Sequence, residues 1–469
     1  MHKLSVMLAG FSLAMLAGTA AAESHKVELK ASDRKSLTLA VYSGFAVVRD
    51  LRKASLPKGT IGMKVLDIPR TIDPSSVQVG SSVGNFDLER QVYGYDLQDR
   101  QSLLRRYIGH DVTYRQVVRH NGSDETLDRL GKLLSVNPEI VRFSDGIEVS
   151  PTGVLSLAPL PGLRTSPTLT WQADVGVGGP QVIETTYIAD GISWLADYRL
   201  NLNAGETSGD LSVWAQVSNN SGLAFDQARV RLVSGDVNRT GYQVTSRQVA
   251  ALARMESAAP TPRSFSDYYV YPVTGRFDLA ADRMLHIKLI SARSIAVDKS
   301  YRLVNGWQPQ PMPEPIKARP DIRYTFKNSQ KAGLGAALPP GIVRIFKRDG
   351  EVSELLGEDN IRRISKGDDV TVTAGQSSDI DVTHTQTEFH RTAAETDIGF
   401  KVQVHNHKSH KVQVTLDEKF YGDWQVTAQS LRGERVDSGT QRYVVSVAAG
   451  EEKAFDFAVR YNTKRQLLH

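Results

Sequence analysis

The sequence contains no cysteine. That absence excludes disulfides, zinc–thiolate sites, iron–sulfur clusters and cysteine nucleophiles. It also excludes lipid attachment through a lipobox thiol. Charge of one sign is scarcely in excess: 57 basic and 52 acidic side chains leave a formal net charge of +5 over 469 residues. So small an imbalance argues against a dedicated nucleic-acid binder. Long apolar runs are missing after the first twenty residues, so no segment of the mature chain reads as a membrane-spanning helix. Helical periodicity is sparse. No Walker loop, dinucleotide fingerprint, H-E-x-x-H motif or EF-hand loop occurs, and nothing in the pattern calls for a cofactor.

What is present begins with an export signal over residues 1–22. Lys3 supplies a positive start, Leu4 to Leu16 a mostly apolar stretch, and Ala20-Ala21-Ala22 the small residues of a cleavage site. The stretch is too short for a stable membrane anchor. The expectation is cleavage near Ala22 and a periplasmic or secreted mature chain. An outer-membrane barrel is disfavoured, because prolines interrupt the chain and its last residues, Gln466-Leu467-Leu468-His469, lack the usual closing aromatic.

The dominant period is two. Phe455, Phe457, Val459 and Tyr461 alternate with Asp456, Ala458 and Arg460; Val412, Val414 and Leu416 alternate with Gln413 and Thr415. Leu211, Val213, Ala215 and Val217 alternate with polar residues and Trp214. Alternation places one strand face on a core and the other in water. Turn signals such as Asn121-Gly122, Asp145-Gly146, Gly178-Gly179-Pro180 and Asp349-Gly350 separate the runs. The fold class is therefore all-β, a multi-part antiparallel protein. A short helix is expected after Asp99, another over the alanine-rich Gln248 to Met255, and Leu127, Leu130, Leu133 and Leu134 have helical spacing broken by Gly131.

At roughly 150 residues per domain the length allows about three parts. Residues 23–165 form an N-terminal β region, with five short strands over 109–160 that suggest a small SH3-like barrel. Residues 166–378 form a central β domain with long excursions at 240–266 and 305–320, the second carrying Pro309, Pro311, Pro313, Pro315 and Pro320. Residues 379–469 have the length and hairpin content of a C-terminal β-sandwich.

Several motifs occur together. They are Val41-Tyr42-Ser43-Gly44-Phe45-Ala46-Val47-Val48-Arg49-Asp50, Ile72-Asp73-Pro74-Ser75-Ser76-Val77, Tyr187-Ile188-Ala189-Asp190-Gly191-Ile192-Ser193-Trp194-Leu195-Ala196-Asp197-Tyr198, Asn219-Asn220-Ser221-Gly222, Leu232-Val233-Ser234-Gly235-Asp236-Val237-Asn238, Leu338-Pro339-Pro340-Gly341 and Gly357-Glu358-Asp359. In these the chain resembles bacterial exported proteins carrying a large domain of unknown function, similar to the C-terminal domain of mucoidy-inhibitor-A-like proteins. The resemblance implies a β-rich exported protein and no particular activity. Two departures stand out: the coiled-coil-bearing N-terminal region of the mucoidy-inhibitor-like proteins is absent, and the usual His-Thr-Pro reads Arg363-Ile364-Ser365 here.

Candidate chemistry is thin. Gly80-Ser81-Ser82-Val83-Gly84 matches G-x-S-x-G, but an alternating strand follows where a nucleophile elbow needs a helix, so the segment reads as a hairpin turn. His405, His407 and His410 crowd one hairpin tip and are the candidate metal ligands, with His384 and His390 as further members; the plainer reading is a solvated tip. Arg362, Arg363 and Lys366, with Lys347 and Arg348 near in sequence, could meet phosphate or an anionic polysaccharide, or form a solvated face among Glu354, Glu358 and Asp359. Trp194 and Tyr198 are either core anchors or an aromatic binding surface. Glu184 and Asp190 show no catalytic pattern. No catalytic residue is assigned. The reading leans to a non-catalytic binding or scaffolding protein of the cell envelope, with an envelope protein or polysaccharide as partner. The alternative is an envelope hydrolase with a site assembled from distant strands.

Overall fold

A computed structural model describes residues 26–97, 99–120, 123–235, 237, 263–265 and 268–462. The expected export signal, the expected Asn121-Gly122 turn, the expected Gln248 to Met255 helix, most of the 240–266 stretch and the last residues lie outside the described residues. Strands make up 67% of the structure and helix 3%. The all-β expectation therefore holds. The chain divides into two compact units, Met1–Ser36 with Arg49–Thr186, and Leu37–Val48 with Tyr187–His469.

The first unit holds a four-stranded sheet in the order Lys26–Leu29, Gly59–Val65, Thr168–Val175 and Phe86–Gly94. Ile61, Met63 and Val65 face Ala173, Trp171 and Leu169 across paired strands, and all six are buried. One buried ion pair ties its edge. Arg52 donates to Asp50 Oδ2 at 2.8 Å and to the carbonyl oxygens of Leu29 at 2.9 Å and Leu66 at 2.7 Å. The guanidinium thereby spends its donors on a carboxylate and backbone carbonyls, which offsets the cost of burying its charge.

The five strands expected over 109–160 form: Asp111–His120, Ser123–Val136, Glu139–Arg142, Ile147–Val149 and Val154–Leu157. They do not close. Ile147–Val149 and Val154–Leu157 are the two edges of an open antiparallel sheet, and no closed barrel is present. The SH3-like barrel is thus corrected to an open sheet, backed by the helix Arg100–Arg105, whose cap Asp99 accepts from the Ser102 N–H at 2.7 Å. The leucines of Ser123–Val136 are on a strand, not a helix. Leu133 is buried and Leu130 is exposed. Gly131 is there for space, since a Cβ would sit 2.6 Å from Val141 Cγ1.

The second unit holds a five-stranded sheet in the order Arg283–Ala296, Ser208–Asn219, Ile192–Leu202, Gly341–Asp349 and Val352–Ile361. It also holds the C-terminal sandwich. One sheet runs Asp369–Gln376, Asp321–Lys327, Asp298–Trp307, Val412–Phe420, Thr440–Val447 and Glu434–Asp437; the other runs Ile316–Ala318, Ile380–Arg391, Glu395–Asn406, Glu452–Asn462 and Trp424–Gln429. Their facing side chains form one core that includes Trp307, Phe400, Phe420, Trp424, Phe457 and Tyr461. The sandwich thus takes strands from residue 298 onward as well as from 379–469. The proline-rich segment between two of them is held down: Met312 donates its backbone N–H to Gln386 Oε1 at 2.8 Å, and Gln386 Nε2 donates to the Gln310 carbonyl at 3.1 Å.

Inside that core sit two fully buried polar side chains. His384 Nε2 lies 3.0 Å from Glu418 Oε1, and Trp307 Nε1 donates to Glu418 Oε2. A second carboxylate in this unit, Glu206, is clasped by Lys299 and Lys347 and accepts from the Tyr324 hydroxyl at 3.1 Å. Burial alone would raise its pKa, but the lysine and tyrosine bonds outweigh burial and bring it from 4.5 to about 2. A folded pKa below the unfolded value means stabilisation that is complete above about pH 4.5 and disappears as pH falls through about 2. Glu206→Gln should therefore flatten the acid limb of the stability profile between those values, by an amount on the order of 2–3 kcal/mol. Urea unfolding midpoints across that pH range check this. An acid limb identical to wild type would show that the clasp stores no such energy.

Candidate functional site

Ile72–Val77 lies in the first unit, and the other motif segments fall mainly in the second. Trp194 is held on its strand by its backbone N–H, which donates to the Tyr42 carbonyl at 3.1 Å. Its indole N–H donates to the Val233 carbonyl at 2.9 Å, and its ring centroid is 5.8 Å from that of Tyr271. Tyr198, four residues on and fully buried, donates its hydroxyl to the Pro339 carbonyl at 2.6 Å. Between them Ala196 pairs in parallel with Gly341. A Cβ on Gly341 would sit 2.2 Å from the Ala196 carbonyl oxygen, so only glycine permits the approach. Gly357 is under the same constraint, 1.9 Å from the Ala374 carbonyl oxygen. Asn219 is buried and spends its amide nitrogen on the carbonyls of Leu223, Leu279 and Ala280, while its oxygen accepts from the Ser221 hydroxyl at 2.7 Å. The motifs are thus joints between strands, each satisfying backbone groups that the ladders leave over.

The segments around Trp194, Val233 and Gly341 wall a cleft of about 890 Å³; the Asn219 and Gly357 joints lie outside its lining. Trp194, Leu195, Val233, Pro340 and Ile342 give it an apolar lining; Ser43, Ser234 and Asn360 add neutral polar groups; Arg362 and Arg363 supply the charge. Trp194 is 7% exposed and Leu195 is 41% exposed. The Arg363 guanidinium lies 5.0 Å from the Tyr269 ring centroid. Burial pushes the neighbouring Tyr271 phenol well above its ordinary pKa, against the opposing pull of Arg363. The Tyr271 hydroxyl has no hydrogen-bond partner among the described residues.

The other sequence candidates do not gather here. Lys347 is committed to Glu206, so the expected basic cluster reduces at the cleft to Arg362 and Arg363. His405 and His407 do stack, with ring centroids 3.9 Å apart, but His407 Nε2 is 3.1 Å from Asp381 Oδ2. Asp381 belongs to the neighbouring strand, where sequence distance hid it. His410 is exposed at the same turn, and its carbonyl accepts from Asn406 Nδ2 at 2.9 Å. Among the described residues no three His, Cys, Asp or Glu side chains are placed to hold a metal. His384 cannot enlarge that patch. It pairs across the ladder with the buried Val402, whereas His405 pairs with Asp381, so His384 points into the core. Ser82 sits in the connection between Ile72–Ser81 and Phe86–Gly94, which belong to different sheets, so the expected hairpin turn is corrected to a link between sheets; its hydroxyl accepts from the Val182 N–H at 2.9 Å. Glu184 is bound by Arg49 at 2.8 Å. Sequence reasoning missed Leu195, Ser234 and Ile342 as parts of one site. Three of the quoted motifs contain or adjoin them, and that co-occurrence was the available signal.

A family model described as a domain of unknown function (DUF4139) matches residues 183–463. The chain belongs to the DUF4139 family. No curated protein matches it. Most of the cleft lining falls inside the DUF4139 region, Ser43 being the exception.

Trp194 is an anchor by its hydrogen bond and burial, and it also lines the cleft. Trp194→Ala should cost about 3–5 kcal/mol, as for other buried aromatics. Trp214 is the control. It is half-buried on the opposite face of its strand, with the Lys288 amine 5.7 Å from its ring centroid, and its truncation should cost less. Denaturant unfolding of both variants decides; equal costs, or a Trp194→Ala variant of wild-type stability, would contradict the anchor assignment.

Proposed function

We propose that this DUF4139 protein is an exported, non-catalytic binding protein of the bacterial cell envelope, with the cleft beside Trp194 as its ligand surface. The observation that carries the reading is the chemistry of the lining. Among the described residues its titratable side chains are Arg362 and Arg363, set beside an apolar wall. A cleft of this size with convergent polar groups suits a ligand. Hydrolysis draws on paired carboxylates or on a nucleophile with its base, and the lining offers neither. Export rests on the Lys3, apolar stretch and Ala20-Ala21-Ala22 pattern. Kinship with the C-terminal domain of mucoidy-inhibitor-A-like proteins rests on the quoted motifs, and it names no partner.

Two arms test the proposal. Protein from a periplasmic fraction should begin at Glu23 on N-terminal sequencing; residues 1–22 retained in a cytoplasmic pool would refute export. Leu195→Asp adds a carboxylate to the cleft at an exposed position and should leave the fold intact. Native mass spectrometry of chain purified from its own envelope should find a bound component in wild type and lose it in this variant. Turnover of a simple ester, glycoside or peptide, abolished by one carboxylate substitution elsewhere, would replace this reading with a hydrolase.

A further inference from the structure

Arginines in the second unit are commonly answered by a carboxylate. Arg302 and Arg442 share Asp417, Arg344 bonds Asp197 and Glu358, and Arg460 bonds Asp397. Arg362 and Arg363 differ. They are adjacent and exposed, they line the cleft, and neither has a carboxylate partner among the described residues. Their chain neighbours Glu358 and Asp359 are already engaged, Glu358 by Arg344 at 2.7 Å and Asp359 by the Thr373 and Asn360 backbone N–H groups at 2.8 Å. Arg363 is also steadied by the Tyr269 ring, a stack that leaves the edge of the guanidinium free to donate. Among the described residues the lining holds two guanidinium groups and no carboxylate, which sets a positive potential at the cleft.

Much of the remaining lining is apolar. Leu195, Val233, Pro340 and Ile342 offer no donor or acceptor in their side chains, and the indole N–H of Trp194 is spent on Val233. A wholly hydrophilic anion would leave that wall dry and unmatched. A wholly apolar ligand would leave two arginines desolvated without partners. One chemistry answers both.

We propose that the cleft takes an amphiphile with a single anionic headgroup, carboxylate or phosphate, on a short apolar chain. The headgroup lies against Arg362 and Arg363, within reach of the neutral Asn360 and Ser234, and the chain lies on Leu195 and Ile342. This rests on the cleft being the ligand surface, as proposed above. Charge-assisted, fork-shaped contacts supply selectivity for the headgroup, and burial of the chain supplies the remaining affinity at about 25 cal/mol per Å² of apolar surface.

Titration calorimetry on the mature full-length chain tests it, with octyl phosphate, octanoate, octyl glucoside and inorganic phosphate as probes, each below its micelle concentration. At least one of the two anionic amphiphiles should bind about tenfold or more tighter than the neutral one and than inorganic phosphate. Whichever of octyl phosphate and octanoate binds tighter identifies the headgroup. The double variant R362Q/R363Q should lose about tenfold or more for the anionic probes, keep its thermal midpoint, and leave octyl glucoside unaffected. Equal binding of neutral and anionic amphiphiles, or undiminished binding in the double variant, would overturn the anion assignment. If Leu195→Asp then abolishes binding of every amphiphile, the cleft still stands as a ligand surface. If no probe binds, or binding ignores both the arginine and Leu195 changes, the cleft reading falls as well.

Discussion

Once the Trp194 ring is buried, its indole N–H must find an acceptor or cost the full desolvation of a polar group. It finds the Val233 carbonyl at the end of Phe225–Ser234. The same residue's backbone N–H takes the Tyr42 carbonyl. One side chain position therefore fixes three segments that are far apart in the chain. Tyr198 adds a fourth through Pro339, and the Ala196–Gly341 approach closes the distance between them to one that only glycine tolerates. The cleft follows from these joints. Its walls are the backbone segments that Trp194 and Tyr198 pin, and its charge comes from the chain just beyond Val352–Ile361.

A chain without cysteine has to hold its loops and edges by other means. Here the devices are side chains that bond carbonyls and amides: Arg52 in the first unit, Asn219 and Asn328 in the second. Buried carboxylates follow the same logic. Glu206, Asp417 and Glu418 each have two or more donors. Such groups contribute modestly when intact and cost much when one partner is lost, so they define which strands meet more than they add net stability.

Period-two alternation made the sandwich legible in the sequence. Phe455, Phe457, Val459 and Tyr461 are all buried on one face, as are Val412, Val414 and Leu416. The capping aspartate of the short helix Arg100–Arg105 was legible too. What was not legible depends on pairing across the chain. The five strands between residues 109 and 160 were readable individually, but their order leaves two free edges where a barrel needs a closing pair. His384 and His405 share a hairpin, yet the register sets one opposite Val402 and the other opposite Asp381, on different faces. Strands Asp298–Trp307 and Asp321–Lys327 join the sandwich through partners about a hundred and about fifty residues away, a relation that local alternation does not carry. The cleft was half-visible: each motif could be quoted, and Arg362 and Arg363 stood out as basic, but only the fold places them around one volume.

The central claim is that the motif residues are structural joints whose assembly creates the cleft. Native-state amide hydrogen exchange on the mature chain tests it most directly. Slowest exchange should fall on the backbone N–H groups of Ile192–Leu202 and its partners Ser208–Asn219 and Gly341–Asp349, with the Trp194 amide among the most protected. Exchange at these amides as fast as at the exposed hairpin turns would contradict the claim, because a joint that opens readily cannot hold the cleft.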